Sequence, residues 1–330
     1  MKKLFSKIVF AVASFAGVAV AQQDPQFTQF MYNKLIYNPG YAGTSGGICG
    51  VLQYRKQWMN FDGAPTTMAF AADMRLKTLP LGVGITVMSD KIGPMNTFFA
   101  RIAGSYNIAK IAGGTLGIGV DVGILQKSIS SNWIVPEPLK NDTRIPGSGG
   151  NIPGTTDPSF NNPALNKTTF DVGLGAFYQI PGKFYVGLSS THLPAQQIKD
   201  GSLGYAVSRH YYMMAGYTFQ PTKWSKITPS VLYKTDMASS SLDANLTFLW
   251  SDMIWVGGTY RLNDAPALLV GYQNVFGEGN SYTYKIGYSY DFTNSNLQTY
   301  AKGSHEFILG ICYIPKVKKP TRYQNDRFLE

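Results

Sequence analysis

The sequence predicts an all-β protein, a transmembrane antiparallel β-barrel of about fourteen strands. Its composition is apolar and aromatic, with 44% hydrophobic, 14% aromatic and only 15% charged residues among 330, whereas soluble domains carry about 25% charged residues. Beyond residue 21, no apolar run reaches the length of about 18 residues that a spanning helix needs. Many segments alternate large apolar residues with small or polar ones, which is the pattern of strands. The aromatic content excludes a disordered chain.

An export signal is predicted at residues 1–21. A start with three lysines precedes the apolar stretch 8–20, and the last residues of that region, Ala19-Val20-Ala21, are typical of a cleavage site. The mature chain would then begin at Gln22, where no cysteine is available for a lipid anchor. We therefore expect an exported protein of the bacterial outer membrane.

The alternation is clearest in 282–290, where five large residues at every second position share one face. Fourteen segments follow this pattern, and most have the length of a tilted membrane strand, about 9–11 residues. The predicted strands are 48–59, 66–76, 80–89, 96–107, 114–127, 168–180, 183–192, 208–220, 226–236, 240–250, 253–261, 265–275, 281–291 and 303–314. A large soluble sandwich shows the same alternation, so the pattern alone does not decide.

Three further features favour the barrel. The polar faces combine small and charged residues, as a lumen wall does. The connections alternate in length along the chain, like the short periplasmic turns and longer external loops of outer-membrane barrels, and the longest, 128–167, is predicted as an external loop. Aromatic residues also gather at strand ends, as in membrane girdles. They are Trp58, Trp133, Trp224, Trp250, Tyr212, Tyr260 and Tyr313.

The segment before the first strand, 22–47, is predicted to plug the barrel from the periplasmic side. Fourteen strands approach the width of a porin, so the interior needs an occupant. Inward charges on neighbouring strands are expected to form ion pairs within the wall, for example Arg55 with Asp73 and Lys234 with Asp243.

Positive charge concentrates after the predicted barrel, 48–314, in a tail at 315–330 that we expect in the periplasm. Without the three signal lysines, the formal charge falls from +10 to +7. The sequence leaves open a docking segment or a merely solvated tail. Export and scattered basic residues argue against a nucleic-acid partner. The candidate docking residues are Lys316, Lys318, Lys319 and Arg322.

The two cysteines define a possible seam. Cys49 opens the first predicted strand and Cys312 closes the last, and these strands must pair to shut a barrel. Both residues fall on the inward face, and an oxidising compartment permits a disulfide between them. Two unbonded buried thiols are the favoured alternative, because cross-strand bridges demand tight geometry.

No catalytic or metal-binding motif is found. The three histidines lie on different strands or strand ends. Within Ser304-His305-Glu306, neighbours along a strand face opposite sides, so the three do not form a triad. The glycine-rich run 113–119 continues the strand alternation instead of forming a phosphate loop. The sequence therefore predicts no enzyme activity, no metal and no cofactor.

Short motifs spread along the mature chain resemble those of one family. They begin with 23–33 (Gln-Asp-Pro-Gln-Phe-Thr-Gln-Phe-Met-Tyr-Asn) and 37–43 (Tyr-Asn-Pro-Gly-Tyr-Ala-Gly), and continue to Gly-Ser-His-Glu at 303–306. Together they resemble the PorP/SprF family of the type IX secretion system of Bacteroidota. The residues assigned to a plug or partner-binding segment are Asp24, Pro25, Gln26, Phe27, Tyr32, Asn33, Asn38 and Pro39.

The resemblance implies a non-enzymatic barrel, surrounded by outer-membrane lipid, that binds other secretion proteins. One functional type couples the outer membrane to the periplasmic ring and motor, and the other supports export or surface attachment of an adhesin, in secretion or gliding. The insert 128–167 is longer than the family pattern requires, and only some members have such a tail. A passive channel or a hydrophobic-solute transporter is the alternative, supported by strand number alone.

Overall fold

The computed structural model describes residues 24–129, 166–200, 203–262, 266–277, 281–292 and 302–315. Within these ranges, no helix is long and apolar enough to cross a bilayer. Two short 3-10 helices, Phe30–Tyr32 and Pro39–Tyr41, precede the strands. The strands are β1 (Ile48–Lys56), β2 (Thr66–Arg75), β3 (Leu81–Ile92), β4 (Met95–Ile111), β5 (Gly114–Ile129), β6 (Asn166–Ile180), β7 (Phe184–Thr191), β8 (Gln197–Asp200), β9 (Leu203–Ala206), β10 (His210–Tyr217), β11 (Phe219–Thr222), β12 (Ser225–Thr235), β13 (Ser240–Trp250), β14 (Ile254–Arg261), β15 (Pro266–Phe276), β16 (Ser281–Asp291) and β17 (Ser304–Ile314).

Fourteen of these strands form a closed antiparallel barrel. Each wall strand pairs with its neighbours in the chain, β1 pairs with β17, and β10 pairs with β12. The short strand β11 follows β10 and also pairs with β12, while β8 and β9 form a separate hairpin. The predicted fold class is confirmed, and every predicted strand corresponds to one strand of the wall.

Strand ends and one hairpin differ from the prediction. β1 ends at Lys56, three residues early, where Trp58 and Asn60 take positive φ values of 50° and 69° and turn the chain. β4 runs four residues further than predicted, to Ile111. The hairpin β8–β9 lies inside the predicted loop 193–207 and has no clear alternation.

The two faces of the wall differ as the alternation predicts. In β5, Ile118, Val120 and Val122 are 53%, 49% and 51% exposed, whereas Asp121 between them is 4% exposed. The outward apolar side chains form the band that a membrane barrel presents to lipid. Tyr212 is a correction to the predicted girdle, because its side chain is only 4% exposed and lies in the lumen.

The barrel has two unlike ends. The short-turn end carries the β2–β3, β4–β5, β6–β7 and β13–β14 turns, the start of β1 and the end of β17. The long-loop end carries the β5–β6, β7–β10 and β16–β17 connections. The whole β5–β6 connection, 130–165, lies outside the described residues. Which end faces the periplasm stays a prediction.

Residues 24–47, here called the lumen segment, lie inside the barrel. Asp24 contacts His192 and His210, which flank the β7–β10 connection at the long-loop end. Gly47 meets Arg75 at the short-turn end and leads into β1. The segment therefore runs from one end of the lumen to the other, and its entry from the periplasmic side stays a prediction. Residues 22 and 23 lie outside the described residues.

The turn Asn38-Pro39-Gly40 fixes the lumen segment against the wall. The Asn38 side-chain oxygen accepts from the Gly40 N–H at 2.9 Å, and Pro39 needs no hydrogen-bond acceptor at the first helical position. A Cβ atom on Gly40 would lie 2.7 Å from the Gly117 carbonyl oxygen, and one on Gly117 would lie 2.0 Å from the Gly40 oxygen. The glycine-rich strand β5 thus allows two main chains to touch.

Replacing Gly117 with alanine tests this contact. The new methyl group has no space beside Gly40, so we expect a loss of about 1–3 kcal/mol of unfolding free energy, as for other overpacked sites. The measurement is the midpoint temperature of heat-induced unfolding. The folded fraction at each temperature is read from the gel mobility of the folded barrel. Gly104→Ala is the control, because its Cβ meets nothing within 4 Å. Equal midpoints for the two variants would contradict the contact.

The seam between β1 and β17 carries the two cysteines. Cys49 and Cys312 are direct partners in the strand register and are joined as a disulfide in the structure. Their Cα atoms are 4.0 Å apart, and 263 positions separate them in the chain. The pairing therefore closes the barrel between its first and last strands.

The redox state of this pair is the second prediction. We expect the purified mature protein to gain the mass of two hydrogens on reduction, because the thiols are bonded after export. Thiol alkylation before reduction should modify neither Cys49 nor Cys312. Alkylation of both residues in unreduced, denatured protein would show instead that they are free thiols.

Candidate functional site

The candidate site is the interface between the lumen segment and the wall. Side chains of the wall donate hydrogen bonds to main-chain carbonyls of the segment, and three donors are inward residues of β4. Unpaired main-chain polar groups at membrane depth are costly, so irregular backbone there needs protein partners. The donor–acceptor pairs are Arg101–Ile36 (3.2 Å), Ser105–Gly40 (3.1 Å), Asn107–Ala42 (3.1 Å), Gln179–Thr44 (2.7 Å), Ser189–Tyr37 (2.6 Å), Lys234–Asp24 (3.2 Å) and Thr259–Thr28 (3.2 Å).

A buried ionic cluster holds the segment at Thr28 and Gln29. The Glu306 carboxylate accepts their two main-chain N–H groups at 2.8 and 2.9 Å. Arg55 pairs with Asp291 at 2.6 Å and with Glu306 at 3.1 Å, and it donates to the Thr28 hydroxyl at 2.8 Å. Each charge therefore has a partner, which buried charges require.

The predicted pairing of Arg55 with Asp73 is wrong. In the β1–β2 register, Arg55 faces Thr67, while Asp73 faces Cys49 near the other end of the strands. The Asp73 carboxylate instead accepts from the main-chain N–H of Gly43 at 2.8 Å. Strand alternation predicts that both side chains face the lumen, but it does not predict where each lies along the barrel axis.

The predicted pair of Lys234 and Asp243 is also replaced. The Asp243 carboxylate accepts from Arg261 Nε at 2.8 Å, and the Lys234 ammonium donates to the main-chain oxygen of Asp24. Lys234 and Asp243 are still near neighbours on β12 and β13, since Leu232 is the register partner of Asp243. The Lys234 ammonium thus binds the lumen segment, whereas the sequence predicted that it pairs within the wall.

Trp255 is an important lumen contact that the sequence analysis missed. It is 1% exposed, although its neighbours Ile254 and Val256 face outward. Its ring packs on Tyr32 of the lumen segment, with centroids 5.2 Å apart. A Cβ atom on Gly271 would lie 2.1 Å from the indole. The glycine at this inward position of β15 is the sequence signal that a large neighbouring side chain lies over it.

At the long-loop end, Asp24 lies between two histidines. His192 Nε2 is 3.3 Å from both carboxylate oxygens, and His210 Nε2 accepts from the Asp24 main-chain N–H at 3.2 Å. Burial opposes the charge on His192, but Asp24 and Asp171 raise its pKa to about 9.

At the short-turn end, four lysines line a cavity of about 340 Å³. The Lys34 ammonium lies over the Tyr185 ring, 4.4 Å from its centroid. The lysines of the cavity are Lys34, Lys183, Lys226 and Lys285.

The structure brings most of the predicted site residues together. Those of the plug or partner segment all belong to the lumen segment: Asp24, Pro25, Gln26, Phe27, Tyr32, Asn33, Asn38 and Pro39. The seam cysteines lie at the opposite end from Asp24. The basic residues assigned to docking in the tail, Lys316, Lys318, Lys319 and Arg322, lie outside the described residues.

Ser304, His305 and Glu306 do not form a reactive group. The Ser304 hydroxyl accepts from the Trp58 N–H at 3.2 Å. Glu306 holds the lumen segment, and His305 Nδ1 is 2.8 Å from the Tyr288 hydroxyl on the other face of the wall. The separation of the three side chains follows from strand alternation.

Solved barrel structures resemble the chain at low sequence identity. The monoaromatic hydrocarbon channel CymD is 10% identical, with a TM-score of 0.44 over 91% of this chain and 95% of that one. The Ralstonia pickettii toluene transporter TbuX is 10% identical, with a TM-score of 0.46 over 84% and 92%. The Acinetobacter baumannii outer membrane protein Omp33 is 8% identical, with a TM-score of 0.39 over 81% and 97%.

Sequence comparison identifies the family. None of the curated proteins matches the chain by sequence. The profile described as "Type IX secretion system membrane protein PorP/SprF" matches residues 19–311, which span the lumen segment and nearly the whole barrel. This match agrees with a closed barrel that has an apolar outer band. The chain therefore belongs to the PorP/SprF family and is an outer-membrane component of type IX secretion.

Proposed function

We propose that this barrel is a non-enzymatic docking component of the type IX secretion and gliding machinery. It binds periplasmic subunits of the machine at its short-turn end, or it supports export and surface attachment of an adhesin at its long-loop end. The observation that carries the proposal is the occupied lumen. A wall whose inward donors are used by the chain's own segment favours a binding role over passage of solutes.

The character of the short-turn end supports contact with an acidic partner. Four lysines line its cavity, of which Lys226 is paired with Asp252, and β17 ends there, so the basic tail 315–330 begins at the same end. Together they would form one positive surface. Attraction between such a surface and an acidic protein weakens as salt screens the charges.

The arrangement of polar groups also supports a non-enzymatic role. The charged clusters described above hold the lumen segment or pair within the wall, and they use their oxygen and nitrogen atoms for that purpose. Ser304 and Glu306, the polar residues nearest to a catalytic pattern in the sequence, are both engaged in structural hydrogen bonds.

Planar-bilayer recording tests the occupied lumen. We expect no steady conductance from the wild-type barrel. We expect a steady conductance from a variant in which residues 24–47 are deleted, because the segment's volume becomes water-filled. Gly104→Ala serves as the control, since it alters only the outer face. A large, stable pore in the wild-type protein would contradict the proposal and favour the channel alternative.

Deletion of the gene in the source organism tests the function. We expect loss of type IX secretion or of one surface adhesin, restored by the wild-type gene. Loss of many secreted proteins indicates the machine component, and loss of one adhesin indicates the dedicated type. Normal secretion and a normal surface in the deletion strain would contradict both.

A pull-down then separates the two binding faces. Truncation of 316–330 should weaken capture of periplasmic machine subunits, and capture by the full chain should fall with added salt. An adhesin-specific role predicts the same capture with and without the tail. A tail of equal length, with Lys316, Lys318, Lys319 and Arg322 replaced by glutamine so that its side-chain charge falls from +3 to −1, is the matched control for tail length.

A further inference from the structure

Three side chains that are far apart in the sequence converge at the long-loop end. One ligand atom each from Asp24, His192 and His210 lies within 4.8 Å of the other two. Both imidazoles are almost fully buried, at 3% and 4% exposure. They meet because β7 and β10 are paired, with His210 opposite Thr191 in the register, and His192 follows directly. Neither histidine is near a metal-binding motif in the sequence.

The Nδ1 atom of each imidazole ring lies within hydrogen-bonding distance of an acceptor oxygen. His192 Nδ1 is 3.0 Å from the Asp171 carboxylate, and His210 Nδ1 is 3.1 Å from the Ser208 carbonyl oxygen. Histidines that bind metals are oriented in this way, because the acceptor fixes the proton on one nitrogen and leaves the other to coordinate. The Tyr212 hydroxyl donates to the Asp24 carboxylate at 2.6 Å and orients the third group.

The distances fit a small divalent cation. His192 Nε2 and the Asp24 oxygens are 3.3 Å apart, close to the spacing of about 3.4 Å between ligands in a tetrahedral Zn²⁺ site with bonds of about 2.0–2.1 Å. His210 Nε2 lies within 4.8 Å of the other two ligand atoms and must move closer to complete the set. The three groups line a cavity of about 280 Å³, which leaves space for a water ligand at the fourth position.

We propose that Asp24, His192 and His210 form a Zn²⁺ site that fastens the start of the lumen segment to the wall. Two imidazole nitrogens and one carboxylate oxygen are ligands that zinc accepts, with water as the fourth. The Nε2 proton of His192 leaves to solvent when the ion binds. The His210 contact to the Asp24 N–H is exchanged for the metal bond.

The site has a structural role. Asp24 is the first described residue of the lumen segment, whereas Gly47 is attached covalently to β1. The ion therefore anchors the end of the segment that has no covalent attachment to the wall, and joins it to β7 and β10. A metal-free alternative also exists, in which His192 bridges Asp24 and Asp171 by hydrogen bonds alone.

Zinc content and affinity distinguish the two. The protein is purified without a polyhistidine tag, stripped with a chelator and titrated with Zn²⁺ by calorimetry, and the bound metal is measured by elemental analysis. We expect about one tightly held zinc ion per wild-type chain, and loss of stoichiometric binding in Asp24→Asn. That variant lies outside the wall, and the gel mobility of the heated and unheated barrel checks that it folds.

Two more variants sharpen the test. Asp171→Asn should keep the site but weaken zinc binding about 10–100-fold, because it removes the acceptor that orients His192. His305→Ala, on a histidine that contacts Tyr288 far from Asp24, should bind zinc as the wild type does. Heat stability should rise with free Zn²⁺ in wild type and not in Asp24→Asn.

Either of two results would overturn the proposal. One is a folded wild-type protein that holds no zinc above the level of Asp24→Asn. The other is equal affinity in wild type and Asp24→Asn, which would place the ion elsewhere. Neither measurement depends on secretion activity, so the outcome is separate from that of the proposed function.

Discussion

The structure depends on one constraint: an irregular main chain at membrane depth must have protein partners for its polar groups. Residues 24–47 contain only two short 3-10 helices, so most of their carbonyl groups lack partners within the segment. The wall supplies them, since seven inward side chains donate to carbonyls of the segment within the described residues. The polar face of the barrel is therefore best understood as the complement of this segment and not as the lining of a water-filled pore.

Glycine residues of the wall also fit the lumen segment. At Gly40 and Ala42 the main chains touch, and the wall has Gly117 and Gly82 there. Ser105 and Asn107 of β4 donate to the carbonyls of the same two residues. Glycines thus let the segment approach the wall closely, and polar side chains beside them satisfy its carbonyl groups. At Trp255 the relation is reversed, because the wall itself projects a large ring over Gly271 to reach Tyr32.

The strands were predictable from the sequence because lipid imposes a strict alternation on every wall strand, and residues such as those of β5 obey it. Strand register was not predictable, so Arg55 was paired with Asp73 instead of Asp291 and Glu306. The occupied lumen followed from strand number, but the path of the segment did not, since it depends on contacts between residues up to 278 positions apart. The Asp24–His192–His210 group is the extreme case: Asp24 is separated from the two histidines by 168 and 186 positions. The β7–β10 pairing brings the histidines together, and the lumen segment brings Asp24 to them.

The seam bond predicted between Cys49 and Cys312 would give the chain the topology of a lasso. The residues from one cysteine to the other would form a covalent ring around residues 24–47, which lie inside it. Such a ring cannot part along the β1–β17 seam to let this segment escape sideways. The segment could leave only along the barrel axis, and its junction with β1 lies at the short-turn end. A partner that empties the barrel would therefore draw the segment out through that end, with Gly47 leaving first and Asp24 last.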